Sequence, residues 1–254
     1  MKVIIITQDD PFYLAKNLDY LFSNLPDDVE VIGCIVSNVS PFGKKESFID
    51  KALKTYNIFG FTFFINYAFK FILSKFNSDN SVKLTLAKHN IKELSLNGSI
   101  NSEASLSVIR QLKPDLLISI AGNEIFKKPL IELAPQGCLN LHTALLPKYR
   151  GLMPSFWVLK NLEKYTGVSV FFVDEGIDSG PILVQKKIEI GEMSQAELIK
   201  CSKKLGMDAI IESIIKISTG TYEVKSNNDS DMSYFKFPTK EDVKVFRANG
   251  KKFF

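Results

Sequence analysis

The 254-residue sequence holds only two histidines and three cysteines, which narrows metal and thiol chemistry at the outset. Cys34, Cys138 and Cys201 lie far apart, and no pair has the spacing of a zinc ligand set. Cys34 and Cys138 fall in apolar, strand-like runs and read as buried thiols, so no metal is expected. A glycine-rich phosphate loop is missing too. The first apolar run is followed by Thr7-Gln8-Asp9-Asp10-Pro11, which disfavours a nicotinamide dinucleotide enzyme. The net charge is +4, too mild to argue for nucleic acid when no basic stripe runs through residues 100–190. Internal repeats are absent. Met1-Lys2 leads straight into Val3-Ile4-Ile5-Ile6, too short for a signal sequence, and the cytoplasm is the expected location.

What remains is a globular pattern, with 45% hydrophobic and 24% charged residues. Apolar runs without alternation recur at Val3–Thr7, Val31–Val36, Asp115–Ala121, Cys138–His142 and Val168–Val173. Such runs suit strands covered on both faces. Helical patterns alternate with them at Tyr13–Phe22, Ser102–Leu112, Lys127–Leu133 and Pro154–Asn161. This order predicts a doubly wound, mostly parallel α/β sheet. Ile182–Ile190 alternates more clearly and reads as an edge strand. Ser194-Gln195-Ala196-Glu197 is a capping box, starting a helix whose inner face is marked by Leu198, Leu205, Ile211 and Ile215, to about Ile217. Lys225–Ser233 reads as a linker or a hairpin loop. The expected organisation is a domain over 1–217 with a small C-terminal extension over 218–254.

Tyr56–Phe76 is unusual in composition, carrying seven of the chain's twenty phenylalanines among Lys51, Lys54, Lys70 and Lys75. The longest uncharged run, Thr55–Phe69, is 15 residues, short of the roughly 20 that a spanning helix needs. The favoured reading is one or two helices packed on the sheet or in a subunit contact. The alternative is a basic, aromatic helix resting on a membrane.

The chemistry concentrates in Leu139-Asn140-Leu141-His142. Residues i and i+2 of a strand share a face, so Asn140 and His142 project together from the carboxyl edge where open α/β sheets bind ligands. Asp178 follows in Asp174-Glu175-Gly176-Ile177-Asp178-Ser179-Gly180, again just past a strand. Together they offer a neutral donor, a base that titrates near neutrality and a carboxylate. This set suits acyl transfer without a covalent enzyme intermediate.

Asn140-x-His142, then Leu145-Leu146-Pro147-Lys148-Tyr149-Arg150-Gly151, then Asp174-x-Gly176-Ile177-Asp178-x-Gly180 resembles the folate-dependent formyltransferases, over about residues 100–190. That family includes the methionyl-tRNA, glycinamide ribonucleotide and nucleotide-sugar N-formyltransferases. The resemblance implies a Rossmann-like formyltransferase fold, N10-formyltetrahydrofolate as co-substrate, and catalytic Asn140, His142 and Asp178. Two departures bear on substrate preference: Thr143-Ala144 follows the histidine where Pro-Ser or Gly-Ser is usual, and Phe171-Phe172 stands where a second histidine is common.

Under this resemblance, Asn140 donates to the oxyanion and His142 moves the proton. Asp178 has three open roles: fixing the tautomer, supporting imidazolium or holding a relay water. The pterin pocket falls on Ala121–Phe126, with Asn123, Glu124 and Ile125 carrying it through backbone groups. Asp174 either belongs to that pocket or forms the loop. Lys148 and Arg150 are either solvated charges or contacts to acceptor phosphates; Tyr149 reads as packing.

About 37 residues follow Ile217, fewer than the C-terminal β-barrel that tRNA formyltransferases typically add. The tail, with Tyr234 as a candidate acceptor contact, resembles that of stand-alone nucleotide-sugar N-formyltransferases. The expected acceptor is therefore the amine of a nucleotide-linked amino sugar, such as a 4-amino-4,6-dideoxy hexose for surface polysaccharide, handled by a homodimer without nucleic acid. The alternatives are a methionyl-tRNA or ribonucleotide-amine enzyme and a non-catalytic folate-binding protein.

Overall fold

The computed structural model describes residues 1–37 and 47–254. Its strands are β1 (Lys2–Gln8), β2 (Glu30–Ser37), β3 (Leu116–Ile120), β4 (Cys138–His142), β5 (Arg150–Gly151), β6 (Tyr165–Phe172), β7 (Ile182–Glu189) and β8 (Tyr234–Phe235). The helices are α1 (Leu14–Ser23), α2 (Phe48–Phe59), α3 (Phe61–Lys75), α4 (Val82–Lys88), α5 (Glu103–Gln111), α6 (Lys128–Ile131), α7 (Pro154–Lys160), α8 (Gln195–Ser218) and α9 (Lys240–Ala248). Six strands form one sheet in the order β2-β1-β3-β4-β6-β7. The first four run parallel, and β6 is antiparallel to both β4 and β7. The apolar runs became the central strands, and Ile182–Glu189 stands at the edge as its alternation predicts.

Both faces of the sheet are covered. Val3 and Ile5 of β1 join Leu14, Leu18, Met207 and Ile210 on one side. Ile4 and Ile6 join Ile109, Leu117 and Leu130 on the other. Period-2 alternation thus feeds two cores from one strand. Cys34 and Cys138 are buried, and burial pushes both thiols up to about 12.

The α8 helix starts at the expected capping box, with the Ser194 hydroxyl and the Glu197 carboxylate satisfying each other's backbone amides. Its inner face differs from the expected one. Leu198 is buried, but Ile215 is exposed and Leu205 and Ile211 are only partly covered. The helix instead packs through Ser202, Gly206, Met207, Ala209, Ile210, Ser213, Ile214 and Ile217. Small residues admit the close approach: a Cβ on Gly206 would sit 2.6 Å from the Leu141 side chain. The expected face is thus right at Leu198 and out of phase further along, where Met207, Ile210, Ile214 and Ile217 carry the large apolar contacts.

Residues after Ser218 pack back onto the rest. The two-residue strands β5 and β8 pair in parallel, and Trp157 Nε1 donates to the Lys236 carbonyl at 3.1 Å. Phe246 and Phe253 stack around Phe156 in a third core that also holds Phe59. Lys225–Ser233 is irregular as expected, but it is no free linker, because the Asn227 side chain is buried and donates to the Asp178 and Gly180 carbonyls at 2.9 Å each. Tyr56–Phe76 lies in two helices broken at Gly60, whose φ of +81° suits a residue without Cβ. Against the expectation of packing on the sheet, the pair rests on the tail: Phe59 and Phe63 meet Phe253 at 5.6 and 4.9 Å.

Candidate active site

The carboxyl ends of β3 and β4 open into a cavity of about 490 Å³, within the usual range for small-molecule sites. Asn140, His142 and Asp178 line it, together with Asn123, Glu124, Ile125 and Asp174. Asn140 and His142 leave β4 on the face opposite Leu139 and Leu141, which are committed to the core. The Asn140 side-chain amide is half-buried and makes no hydrogen bond to the described residues, so its donors are available to a ligand.

His142 is 6% exposed. Its Nε2 lies 2.7 Å from the Tyr149 carbonyl oxygen. A carbonyl only accepts, so this nitrogen carries the proton and donates. Nδ1 is then the nitrogen free to gain or lose a proton, and it faces Asp178 Oδ2 at 3.5 Å. A protonated ring has a partner on both sides. Of the three roles left open for Asp178, tautomer fixing is met by the Tyr149 carbonyl, and the carboxylate lies 3.5 Å from Nδ1, which leaves imidazolium support and a relay water.

Asp178 is itself positioned. Its Oδ2 accepts the Gly151 amide at 2.8 Å, and its backbone takes φ +50°. Gly151 has φ +94°, and an added Cβ would meet the Phe235 carbonyl at 2.3 Å and the Tyr234 ring at 2.8 Å. Tyr149 also has a positive φ, +61°, which aims its carbonyl at the imidazole. Its ring is buried, stacked 5.2 Å from Phe235, with the hydroxyl donating to Glu163 at 2.7 Å. Burial first, and then this bond, push the phenol up to about 12. Tyr149 is packing, as read from the sequence.

The other expected contacts divide. Glu124 spends its carboxylate on Ser99 and the Ile100 amide, and the Asn123 side chain accepts from Ser37 at 2.9 Å. The Ile125 carbonyl accepts from Asn101 at 2.9 Å, while its side chain stays half exposed. Asp174 resolves as a loop former that also borders the cavity: Oδ1 accepts the Gly176 amide and the Ser179 hydroxyl at 3.1 and 2.6 Å. Arg150 corrects the expectation of an acceptor contact. It is buried, and its guanidinium donates to the Asn227 carbonyl and side-chain oxygen at 3.0 Å each. Tyr234 pairs with it through the backbone and covers Gly151, and Lys148 is exposed; neither borders the cavity.

One cavity residue had no signal in the sequence. Lys203 of α8 lines the cavity without a hydrogen bond or ion pair to the described residues. Burial lowers its pKa, opposed by the charge of Asp10. It lies in Lys200-Cys201-Ser202-Lys203-Lys204, where helix phase alone separates it from its solvated neighbours.

The formyl transferase family model matches residues 70–214, more than half of the chain. The chain belongs to the formyl transferase family. A methionyl-tRNA formyltransferase of Kosmotoga olearia is 39% identical over 160 residues, covering 61% of this chain and 51% of the relative. This formyltransferase chain thus spans about half the length of the curated relatives it matches. Phosphoribosylglycinamide formyltransferase from Anaplasma phagocytophilum has a TM-score of 0.64 at 14% identity, covering 93% of this chain and 99% of that one. An N-formyltransferase from Helicobacter canadensis, in complex with folinic acid and dTDP-3-aminofucose, has a TM-score of 0.59 at 20% identity, covering 98% and 80%. These two structures share the fold.

Proposed function

We propose that this chain transfers a formyl group from N10-formyltetrahydrofolate to the amine of a nucleotide-linked amino sugar, such as a 4-amino-4,6-dideoxy hexose destined for surface polysaccharide. The observation that carries the reading is the convergence on one cavity of an unpartnered Asn140 amide, a His142 with a defined tautomer and Asp178. The cavity suits the co-substrate: residues 119–126 line it, and Val173 and Ile177 add apolar surface for a flat heterocycle.

In the proposed reaction the acceptor nitrogen attacks the formyl carbon, and the bond from that carbon to N10 breaks. Asn140 donates to the oxygen that gains charge, an interaction worth about 2.7–4 kcal/mol of barrier in other acyl-transfer sites. His142 Nδ1 takes the proton from the attacking amine and returns it to the departing nitrogen, so one proton moves from acceptor to folate. Asp178 stabilises the ring while it is charged. Lys203 supports a phosphorylated acceptor, because an anion beside a desolvated ammonium favours its charged form.

The Helicobacter canadensis protein supports a sugar acceptor by the ligand in its complex. A second acceptor, methionyl-tRNA, is favoured by the name of the relative at 39% identity. Tetrahydrofolate release separates the two. The purified chain is incubated with N10-formyltetrahydrofolate and either dTDP-, UDP- or GDP-linked amino sugars or charged tRNA. Release driven by a nucleotide sugar supports the proposal; release driven by methionyl-tRNA alone replaces it.

A further inference from the structure

From Lys51 to Ser78 the chain has four lysines and no acidic residue; α3 lies wholly within this interval, and α2 enters it after a first turn that holds Asp50. Their contacts with the rest of the protein use one stripe. Phe63 stacks on Phe254 and meets Phe253, Tyr67 meets Phe12, and Ser74 is buried. The opposite stripe of α3 is bare. Phe61 is 66% exposed, Phe69 61% and Phe76 85%, and Ile65, Ile72 and Leu73 are each about half exposed. At 3.6 residues per turn these six positions fall within an arc of about 120°, with Lys70 and Lys75 on its two borders. Ile49, Leu53 and Tyr56 extend the exposed surface along α2.

A contiguous apolar patch of this kind marks an interaction surface. We infer that α2 and α3 form a docking face for the surface of an anionic lipid bilayer, lying in its plane. Three observations select this occupant. The face is rich in aromatic side chains and its charge is mostly cationic, with Lys51, Lys54, Lys70 and Lys75 against the single acid Asp50 in the first turn of α2, which matches acidic headgroups above a hydrocarbon interior. A second copy meeting it across a two-fold axis would set lysines largely against lysines, with one acid, Asp50, to compensate four of them. Neither helix can cross a bilayer, since no helix among the described residues is long and apolar enough. None of the cavity-lining residues belongs to α2 or α3, so docking leaves the site's walls unchanged. The family match begins at residue 70, so α2 and the first half of α3 precede the matched region.

The test uses the full chain with sedimented vesicles, one set of pure phosphatidylcholine and one with about a third phosphatidylglycerol, at low and high salt. Binding is expected only to the anionic vesicles and is expected to weaken with salt. Lys70→Glu with Lys75→Glu should lower partitioning roughly thirtyfold or more, at one basic group's contribution per lysine. Phe69→Ser with Ile72→Ser should abolish it, and Phe76→Ser, the most exposed position, gives an independent single substitution. The two serine variants should keep the wild-type melting temperature, and the lysine pair should melt slightly lower, because Lys70 Nζ lies over the Phe254 ring at 3.9 Å. Equal binding to both vesicle types, or none, overturns the inference. A dimer in sedimentation velocity that Phe69→Ser with Ile72→Ser dissociates, without vesicle binding, assigns the face to a second copy instead.

Discussion

The carbonyl oxygen of Tyr149 and Nε2 of His142 lie 2.7 Å apart, and this contact places the proton of the neutral ring on Nε2. With Nε2–H committed to the carbonyl, the proposed proton transfer runs through Nδ1, on the Asp178 side. His142→Asn should therefore abolish turnover, a loss of about 10²–10⁴-fold by the usual contribution of a positioned acid–base group. Its melting curve should stay cooperative. Turnover within a few-fold of wild type would remove proton transfer by His142 from the mechanism.

Asp178→Asn separates charge from geometry. The amide oxygen can still accept the Gly151 amide, so the loop keeps its anchor while the charge beside the imidazole is lost. A large fall in kcat with an unchanged fold is expected. Equal activity of the two proteins would show that Asp178 acts only as a structural acceptor.

Asn140→Ala should lower kcat about 10²–10³-fold with little change in KM, because an oxyanion donor acts in the transition state. Steady-state kinetics with the physiological acceptor checks this. A rise in KM alone would reassign the amide to ground-state binding.

Lys203→Met should have opposite effects on stability and binding. Because the folded pKa is lowered, the charged side chain destabilises the fold at every pH below that value. The deficit is relieved as pH rises towards the unfolded lysine value of about 10.4. The variant should thus melt higher than wild type at neutral pH, with the gap closing towards pH 10, and should show a raised KM for a phosphorylated acceptor. A variant that melts lower at pH 7 and binds the acceptor normally would contradict both parts.

Arg150→Met tests the corrected assignment of that residue. Removing a buried guanidinium bonded to Asn227 should cost roughly 2–4 kcal/mol of stability. Denaturant unfolding measures it. Unchanged stability with a raised acceptor KM would restore Arg150 to substrate contact.

The central strands and the Asn140, His142 and Asp178 cluster were legible because each has a local signature. Unbroken apolar runs mark strands buried on both faces, and the two-residue period places Asn140 with His142. What the sequence hid was relational. The orienting groups are the Tyr149 carbonyl and the Gly151 amide, backbone atoms that every residue owns and only tertiary geometry aims. Lys203 is indistinguishable in composition from Lys204, which faces solvent. Gly206 and Ala209 were passed over on α8 because contacts through small residues carry no hydrophobic signal. The helix α9 lies in a polar stretch and holds its place through buried Val243 and Phe246.

Formyl transfer to a sugar amine is read most directly by mass spectrometry of the acceptor after reaction with N10-formyltetrahydrofolate, run with wild type, His142→Asn and Asp178→Asn. Wild type should yield a nucleotide-linked amino sugar carrying one added formyl group, and both variants should leave the acceptor unmodified. An unmodified panel of amino sugars beside formylated methionyl-tRNA, or formylated sugar from His142→Asn at the wild-type rate, would contradict the proposal.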